Sequence, residues 1–263
     1  MLIDLSYQVR SGMFKYPSDS EPEITVNLCA AEFAETAILD ASGHGSGAGF
    51  TEEILKKSAN AELRIRNHHG THIDAPAHKL LYGKKISEYP IEKFVNNARL
   101  IDLTVTDLLK RERREITLED IKSHLIFADF GTIREYIGKS TALVFYTGFC
   151  DELSANEGRL MNDEKTKFEK TFPYFNEGTA ELVAIPGMNI IGIDSFAVDP
   201  AGSKGEVHKI FFAKDILPLE TLVNLKNLRN VVRENNFCLH SVPENYFGLD
   251  AAQTRAYAEV KNE

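Results

Sequence analysis

Residues 68–78 read His-His-Gly-Thr-His-Ile-Asp-Ala-Pro-Ala-His and hold four of the chain's eight histidines beside an aspartate. Imidazole and carboxylate are natural ligands for Zn²⁺ or Mn²⁺. The polar members share a parity: His68, His72, Asp74 and His78 are even-numbered, while Ile73, Ala75 and Ala77 are odd. In extended chain, residues of one parity point to one side. A straight strand would still hold His68 and His72 roughly 13 Å apart at about 3.3 Å per residue, too far to share one ion easily. A helix would bring them together, but Gly70, β-branched Thr71 and Pro76 oppose one. The expected solution is a bend at Gly70, the residue best able to take an unusual backbone angle, with Pro76 fixing the path towards His78.

Two histidines and a carboxylate suit one ion, and the second oxygen of Asp74 could bridge to another. That second ion would need ligands from elsewhere. His208 and Glu220, in EVHKIFFAKDILPLET, are the outstanding candidates. His124 follows an amphipathic helical pattern and reads as a surface or helix-end histidine. His240 falls in an expected strand beside Cys238, and His44 in a glycine-rich loop; all three are read as structural.

The elements that must position these residues are an alternation of strands and helices. Strands are expected at residues 1–9, 61–67 (AELRIRN, running into the histidine segment), 98–105, 141–147, 188–194 and 236–242. TALVFYT (141–147) is apolar throughout, as a strand buried on both faces is. Thr117-Leu-Glu-Asp120 is a helix-opening pattern, and helices are also expected over 176–185 and 206–215. Tyr16-Pro-Ser-Asp19 is a turn signal. ASGHGSGAGF (41–50) lacks the Lys-Ser/Thr pair of a phosphate-binding loop and is expected to be a connector. Residues 151–170 are charged and polar, as in a surface excursion. With no linker composition and no repeat, this is one α/β domain built on a mixed sheet.

Bulk properties narrow the function further. The chain has 263 residues, 43% hydrophobic and 26% charged, which is ample for a core and unlike a disordered protein. Its net charge is −9, with 39 acidic against 30 basic residues. That argues against nucleic acid or anionic membrane as a partner, since phosphate contacts need clustered cations. The one basic run, Lys110–Arg114, contains a glutamate and reads as the solvated end of a helix. Cys29, Cys150 and Cys238 are isolated, with no CxxC, which suggests neither a disulfide framework nor a thiolate zinc site. The N-terminus does not read as a signal peptide, and no apolar run reaches membrane-span length. A cytoplasmic protein is expected.

The segment His68–His78 resembles, without a mismatch, the HxGTHxDxPxH signature of the metal-dependent cyclase family, which includes the bacterial kynurenine formamidases (arylformamidases). Other pieces fall in that family's order. Tyr16-Pro-Ser-Asp19 resembles its WPGD turn, Thr147-Gly-Phe149 its TG element, and Gly192–Pro200 its GxDxxSxDP segment. His208 and Glu220 match the spacing of its distal ligands. The resemblance implies a binuclear site: His68, His72 and Asp74 on one ion, with Asp74 bridging to a second held by His208 and Glu220. It implies His78 as the proton donor and acceptor, Tyr16 as a substrate-binding residue, and Zn²⁺, or Mn²⁺, as the cofactor, two per subunit. It implies one domain over residues 1–263, an α/β fold with a central barrel-like mixed β-sheet flanked by helices (the swivelling β/β/α type), in a homodimer or homotetramer.

The chemistry implied is hydrolysis of a carbon–nitrogen bond in a small amide, formamide or lactam. Metal binding can lower the pKa of water from 15.7 to about 7, and an imidazole can pass the proton to the leaving amine. No serine or cysteine nucleophile is required, and there is no GxSxG. Two departures bear on the substrate. Tyr16 stands where the family has tryptophan, and Ala197 where it often has serine. Residues 28–55 and 150–170 look like insertions, the first able to act as a lid. The alternatives are a cyclase or dehydratase on another carbonyl substrate, and a non-catalytic metal- or small-molecule-binding protein.

Overall fold

The computed structural model describes residues 1–13, 15, 19–30, 33–39, 45–46, 59–125, 130–153, 172–232, 234 and 236–261. Tyr16, the glycine-rich tip apart from Gly45 and Ser46, and most of 150–170 lie outside them.

Among the described residues the strands are, in chain order, β1 (Leu2–Asp4), β2 (Glu23–Ala30), β3 (Phe33–Leu39), β4 (Gly45–Ser46), β5 (Ala59–Arg64), β6 (His72–Asp74), β7 (Val95–Asp102) and β8 (Glu115–Ile116). They continue with β9 (Ala142–Tyr146), β10 (Tyr174–Phe175), β11 (Ile190–Ile193), β12 (Leu217–Glu220), β13 (Asn236–His240), β14 (Ala251–Gln253) and β15 (Tyr257–Glu259). Nine of them form one mixed sheet in the order β1-β15-β13-β7-β9-β11-β12-β6-β14. The run β7-β9-β11-β12 is parallel, and the flanking pairs are antiparallel.

The parallel centre is buried on both faces, which explains its unbroken apolar runs. In β9 every residue is buried. Ala142, Val144 and Tyr146 join a core with Leu5, Ile73, Leu100 and Leu219 on one side. Leu143 and Phe145 pack on the other against Ile121, Ile133, Val183 and Phe211, which the helices bring. The sheet curls on itself. Beyond edge strand β1, the Leu5 carbonyl accepts from Val223 N–H (3.0 Å), and Ser6 bridges Leu222, just past β12. The result is a barrel-like sheet flanked by helices, as expected.

Helices Leu118–His124, Glu177–Val183 and Glu206–Phe212 lie within the expected spans. The first opens on a capping box between Thr117 and Asp120. Lys110–Arg114 is the exit of a short 3₁₀ turn, not a helix end, and Arg111 is bound by Asp107 and Asp120. Within the stretch 28–55, β3 pairs with β2 and β4 with β3, and β2 pairs with β5, giving a separate antiparallel sheet of four strands in the order β4-β3-β2-β5. No helix among the described residues is long and apolar enough to cross a membrane.

Candidate metal centre

The histidine segment bends where expected. Gly70 has φ +69°, and a Cβ there would lie 2.8 Å from the Tyr7 carbonyl oxygen. Thr71 pins the bend: its hydroxyl donates to the Thr221 carbonyl (2.6 Å) and accepts from Tyr7 N–H (2.7 Å). The bend folds His68 back over His72, with ring centroids 5.0 Å apart. β6 then carries His72 and Asp74 on one face and buried Ile73 on the other. Beyond it, Pro76–His78 forms a 3₁₀ turn that returns His78 to the same place, with its ring 4.4 Å from that of His68.

Register supplies the distal residues. β12 pairs with β6 so that Glu220 stands opposite His72. The helix Glu206–Phe212 brings His208 to Asp74, with His208 Nε2 3.0 Å from Asp74 Oδ2. The two oxygens of Asp74 face different neighbours. Oδ1 lies 3.1 Å from His68 Nδ1 and 3.4 Å from His72 Nε2. Oδ2 faces His208, with His78 Nε2 at 3.9 Å. Glu220 reaches both groups, 3.4 Å from His72 Nε2 and 3.5 Å from His208 Nε2. All six residues named from the sequence as ligands or proton carrier therefore converge. Tyr16 lies outside the described residues.

Each imidazole is held by one nitrogen and aims the other inwards. His72 Nδ1–H donates to the Gly70 carbonyl (2.9 Å), so its Nε2 lone pair faces Asp74 and Glu220. A carboxylate can only accept, so His78 Nδ1–H donates to Asp250 (3.0 Å) and leaves Nε2 as its basic nitrogen. His208 Nδ1–H donates to Asp199, whose oxygens also accept from Val207 and His208 N–H at the start of the helix. Such outward bonds fix the tautomer and orientation of metal-binding histidines.

Asp199 and Asp250 bond the histidines of this cluster, and the sequence reading missed both. Asp199 lay within the quoted Gly192–Pro200 segment but without a role. Asp250 gave no signal: it stands just before β14, and only the pairing of Ala251 with Asp74 brings it to the site. Besides His78 it contacts His68 Nε2 (3.3 Å) and accepts from Asn67 (2.6 Å).

The electrostatics follow from crowding. The histidine bonds, that of His68 foremost, hold the Asp250 carboxyl far below the usual range. Burial works against a charged His68, but Asp74 and Asp250 outweigh it and push its pKa up to about 10. His208 is likewise desolvated yet raised to about 9 by Asp199 and Asp74. Asp74, fully desolvated, is still held well below its ordinary value by His68, His72 and His208. By contrast, burial lowers His69, the motif's remaining histidine; its Nδ1 accepts from Arg66 N–H (3.2 Å). It braces the bend.

The fit to a metal ion rests on two atoms. His72 Nε2 and Asp74 Oδ1 are buried with no hydrogen-bond partner, a costly condition for polar groups unless something else binds them. Donor atoms of His72, Asp74 and Glu220 lie within 4.8 Å of one another, as do those of His68, Asp74 and His78. Imidazole nitrogens and carboxylate oxygens suit Zn²⁺ or Mn²⁺, so the residues present fit a divalent ion. The cluster forms one end of a cavity of about 320 Å³, whose other walls include Phe172, Phe196, Ala197 and Pro200, with Lys15 and Lys79.

A curled mixed sheet with histidines and carboxylates at β6 and β12 defines an α/β protein with a candidate metal centre. The chain belongs to the Cyclase family, described as "Putative cyclase", whose model matches residues 3–200. His208, Glu220 and Asp250 lie beyond that match. The chain is 26% identical over 164 residues to a kynurenine formamidase of Bacillus cereus, covering 62% of this chain and 64% of that protein. It thus spans less than two thirds of that relative's length. It is 26% identical over 256 residues to a kynurenine formamidase of Salinibacter ruber, covering 97% and 95%. Isatin hydrolase A from Labrenzia aggregata, solved bound to benzyl benzoate, superposes with a TM-score of 0.66 at 15% identity, covering 100% of this chain and 94% of that one. That last likeness is one of fold.

Proposed function

We propose that the protein is a metal-dependent hydrolase of a non-peptide carbon–nitrogen bond, acting on a small amide, formamide or lactam. The observation that carries this is the convergence of four histidines, Asp74 and Glu220 around two buried polar atoms that make no hydrogen bond. The family relationship and the kynurenine formamidase relatives support it.

His68, His72 and Asp74 would hold one ion, and Asp74, His208 and Glu220 a second, as Zn²⁺ or Mn²⁺. The division of neighbours between the oxygens of Asp74 supports this assignment. A bound ion supplies Lewis acidity, which acidifies water and polarises a carbonyl. His78 takes the proton of the attacking water at Nε2 and passes it to the leaving amine. Asp250 holds the other ring nitrogen and steadies the charge that His78 gains. Phe172 and Phe196, 6.3 Å apart and nearly perpendicular, give the cavity an aromatic wall suited to a flat ring. No serine or cysteine is needed as nucleophile; Cys150 is buried, and its thiol donates to the Asp194 carbonyl.

A homodimer or homotetramer is part of the same proposal. Leu81, Tyr82 and Phe247 are 84%, 96% and 96% exposed. They lie on two segments joined by the Ile86 N–H to Leu249 carbonyl bond, which flank His78 and Asp250. Exposed apolar side chains beside a site are what a subunit interface covers. Light scattering should give a mass above one chain.

The deciding test is metal content of untagged protein purified without chelator, followed by a hydrolysis screen in ¹⁸O-water. About two equivalents of Zn²⁺ or Mn²⁺ are expected. So is one labelled oxygen in the new carboxylate of a formamide or lactam substrate. Turnover without label would give the site to a cyclase or dehydratase. Absence of both metal and turnover would leave a binding protein.

A further inference from the structure

Away from the candidate centre, the sheet gathers a second set of metal-binding side chains. Cys238 and His240 stand two apart on β13, on the face opposite the core residues Phe237 and Leu239. β15 pairs antiparallel with β13 so that Glu259 is the direct cross-strand partner of Cys238. Donor atoms of Cys238, His240 and Glu259 all lie within 4.8 Å of one another. In the sheet order, four strands separate β13 from β6.

From this juxtaposition we propose a peripheral Zn²⁺ site on β13 and β15, with Cys238 thiolate, His240 imidazole and Glu259 carboxylate as ligands and water completing the coordination. A thiolate with an imidazole and a carboxylate is a donor set that suits zinc and does not suit Mg²⁺ or Ca²⁺. Ligands of a tetrahedral zinc lie roughly 3.3–3.8 Å apart, given bonds of about 2.0–2.3 Å. Side-chain rotation alone covers the contraction required. The imidazole is already placed: it stacks on Tyr257, its cross-strand partner, at 4.4 Å and 5°, and bonds Glu259 Oε2 through Nε2 (3.1 Å). The proton in that bond sits where the ion would bind.

The position suits a brace. β15 lies between β13 and edge strand β1, so an ion bound to both β13 and β15 ties down the edge of the sheet where it curls. Sequence spacing predicted no thiolate zinc site, because no CxxC occurs. The third ligand comes from strand register, 21 residues from Cys238, which spacing motifs do not read.

Cobalt(II) distinguishes this site from the centre at Asp74. That centre offers only nitrogen and oxygen, so a sulfur-to-cobalt charge-transfer band reports Cys238 alone. Full-length protein, with its own metal in place, is titrated with Co²⁺. A near-ultraviolet band saturating near about one equivalent is expected, and Zn²⁺ should displace it. The band should vanish in Cys238→Ser and persist in the Cys29→Ser/Cys150→Ser double variant. His240→Gln and Glu259→Gln should each weaken binding about tenfold or more. Hydrolytic turnover in Cys238→Ser should match the parent. No band in the parent, or a band surviving Cys238→Ser, would overturn the proposal. So would His240→Gln and Glu259→Gln proteins that bind Co²⁺ as tightly as the parent, since the thiol would then act alone.

Discussion

At the scale of single residues, Asp74 and His78 are separable by what each touches. Asp74 faces histidines of both proposed ligand sets, so Asp74→Ala should lose both ions together, read as metal per chain. Retention of a full complement would remove its bridging role. His78 Nε2 lies 3.9 Å from the nearest oxygen of Asp74, and its other nitrogen is taken by Asp250. His78→Ala should therefore keep its metal while kcat falls by roughly 10²–10⁴-fold, the usual worth of general acid–base catalysis. Full activity in that variant would give the proton to another group. Asp250→Asn keeps the shape but removes the charge that orients His78. About a tenfold or larger loss in kcat with metal retained is expected, whereas loss of metal would mean that Asp250 acts through His68 instead.

At the scale of elements, the site depends on one bend. Gly70→Ala would place a methyl group 2.8 Å from the Tyr7 carbonyl oxygen and 2.9 Å from Val9 Cγ2, at a φ that side chains disfavour. A loss of roughly 1–3 kcal/mol in unfolding free energy is expected, read by urea denaturation; an unchanged midpoint would show that the backbone relaxes freely. This bend was legible in the sequence because parity and ligand reach together demanded it. The buried strand β9 and the helix carrying His208 were legible because their runs have the right period. β12 was not read as a strand: its LPLE contains Pro218, which opposes a strand reading, although the pairing with β6 is what sets Glu220 opposite His72. Asp250 was illegible for a related reason. Its role comes from cross-strand register between segments 172 residues apart from His78, and no local pattern encodes that. Phe172 and Phe196, which wall the cavity, look like ordinary core aromatics until the fold brings them to its rim.

At the scale of the whole molecule, the candidate metal centre is also a store of charge that couples folding to pH. Without an ion, Asp74 and Glu220 are buried beside His68 and His208, and protons on those two imidazoles must offset the carboxylates. Their pKa values, about 10 and about 9 in the folded chain, are above the value of roughly 6.5 for an unfolded histidine. Raised values mean that the folded state holds protons the unfolded state has released. The stabilisation is fully present below about pH 6.5 and is lost as pH rises through 9 and 10. A bound ion replaces those protons, and its hold strengthens as pH rises because protons no longer compete for imidazole. The gap in melting temperature between metal-loaded and chelator-stripped protein should therefore widen steadily from about pH 6.5 to about pH 10. Differential scanning fluorimetry across that range measures it. A gap that stays constant would mean that the histidines are neutral in the stripped protein, and a gap that narrows would mean that the ion is not held by the groups that carry those protons.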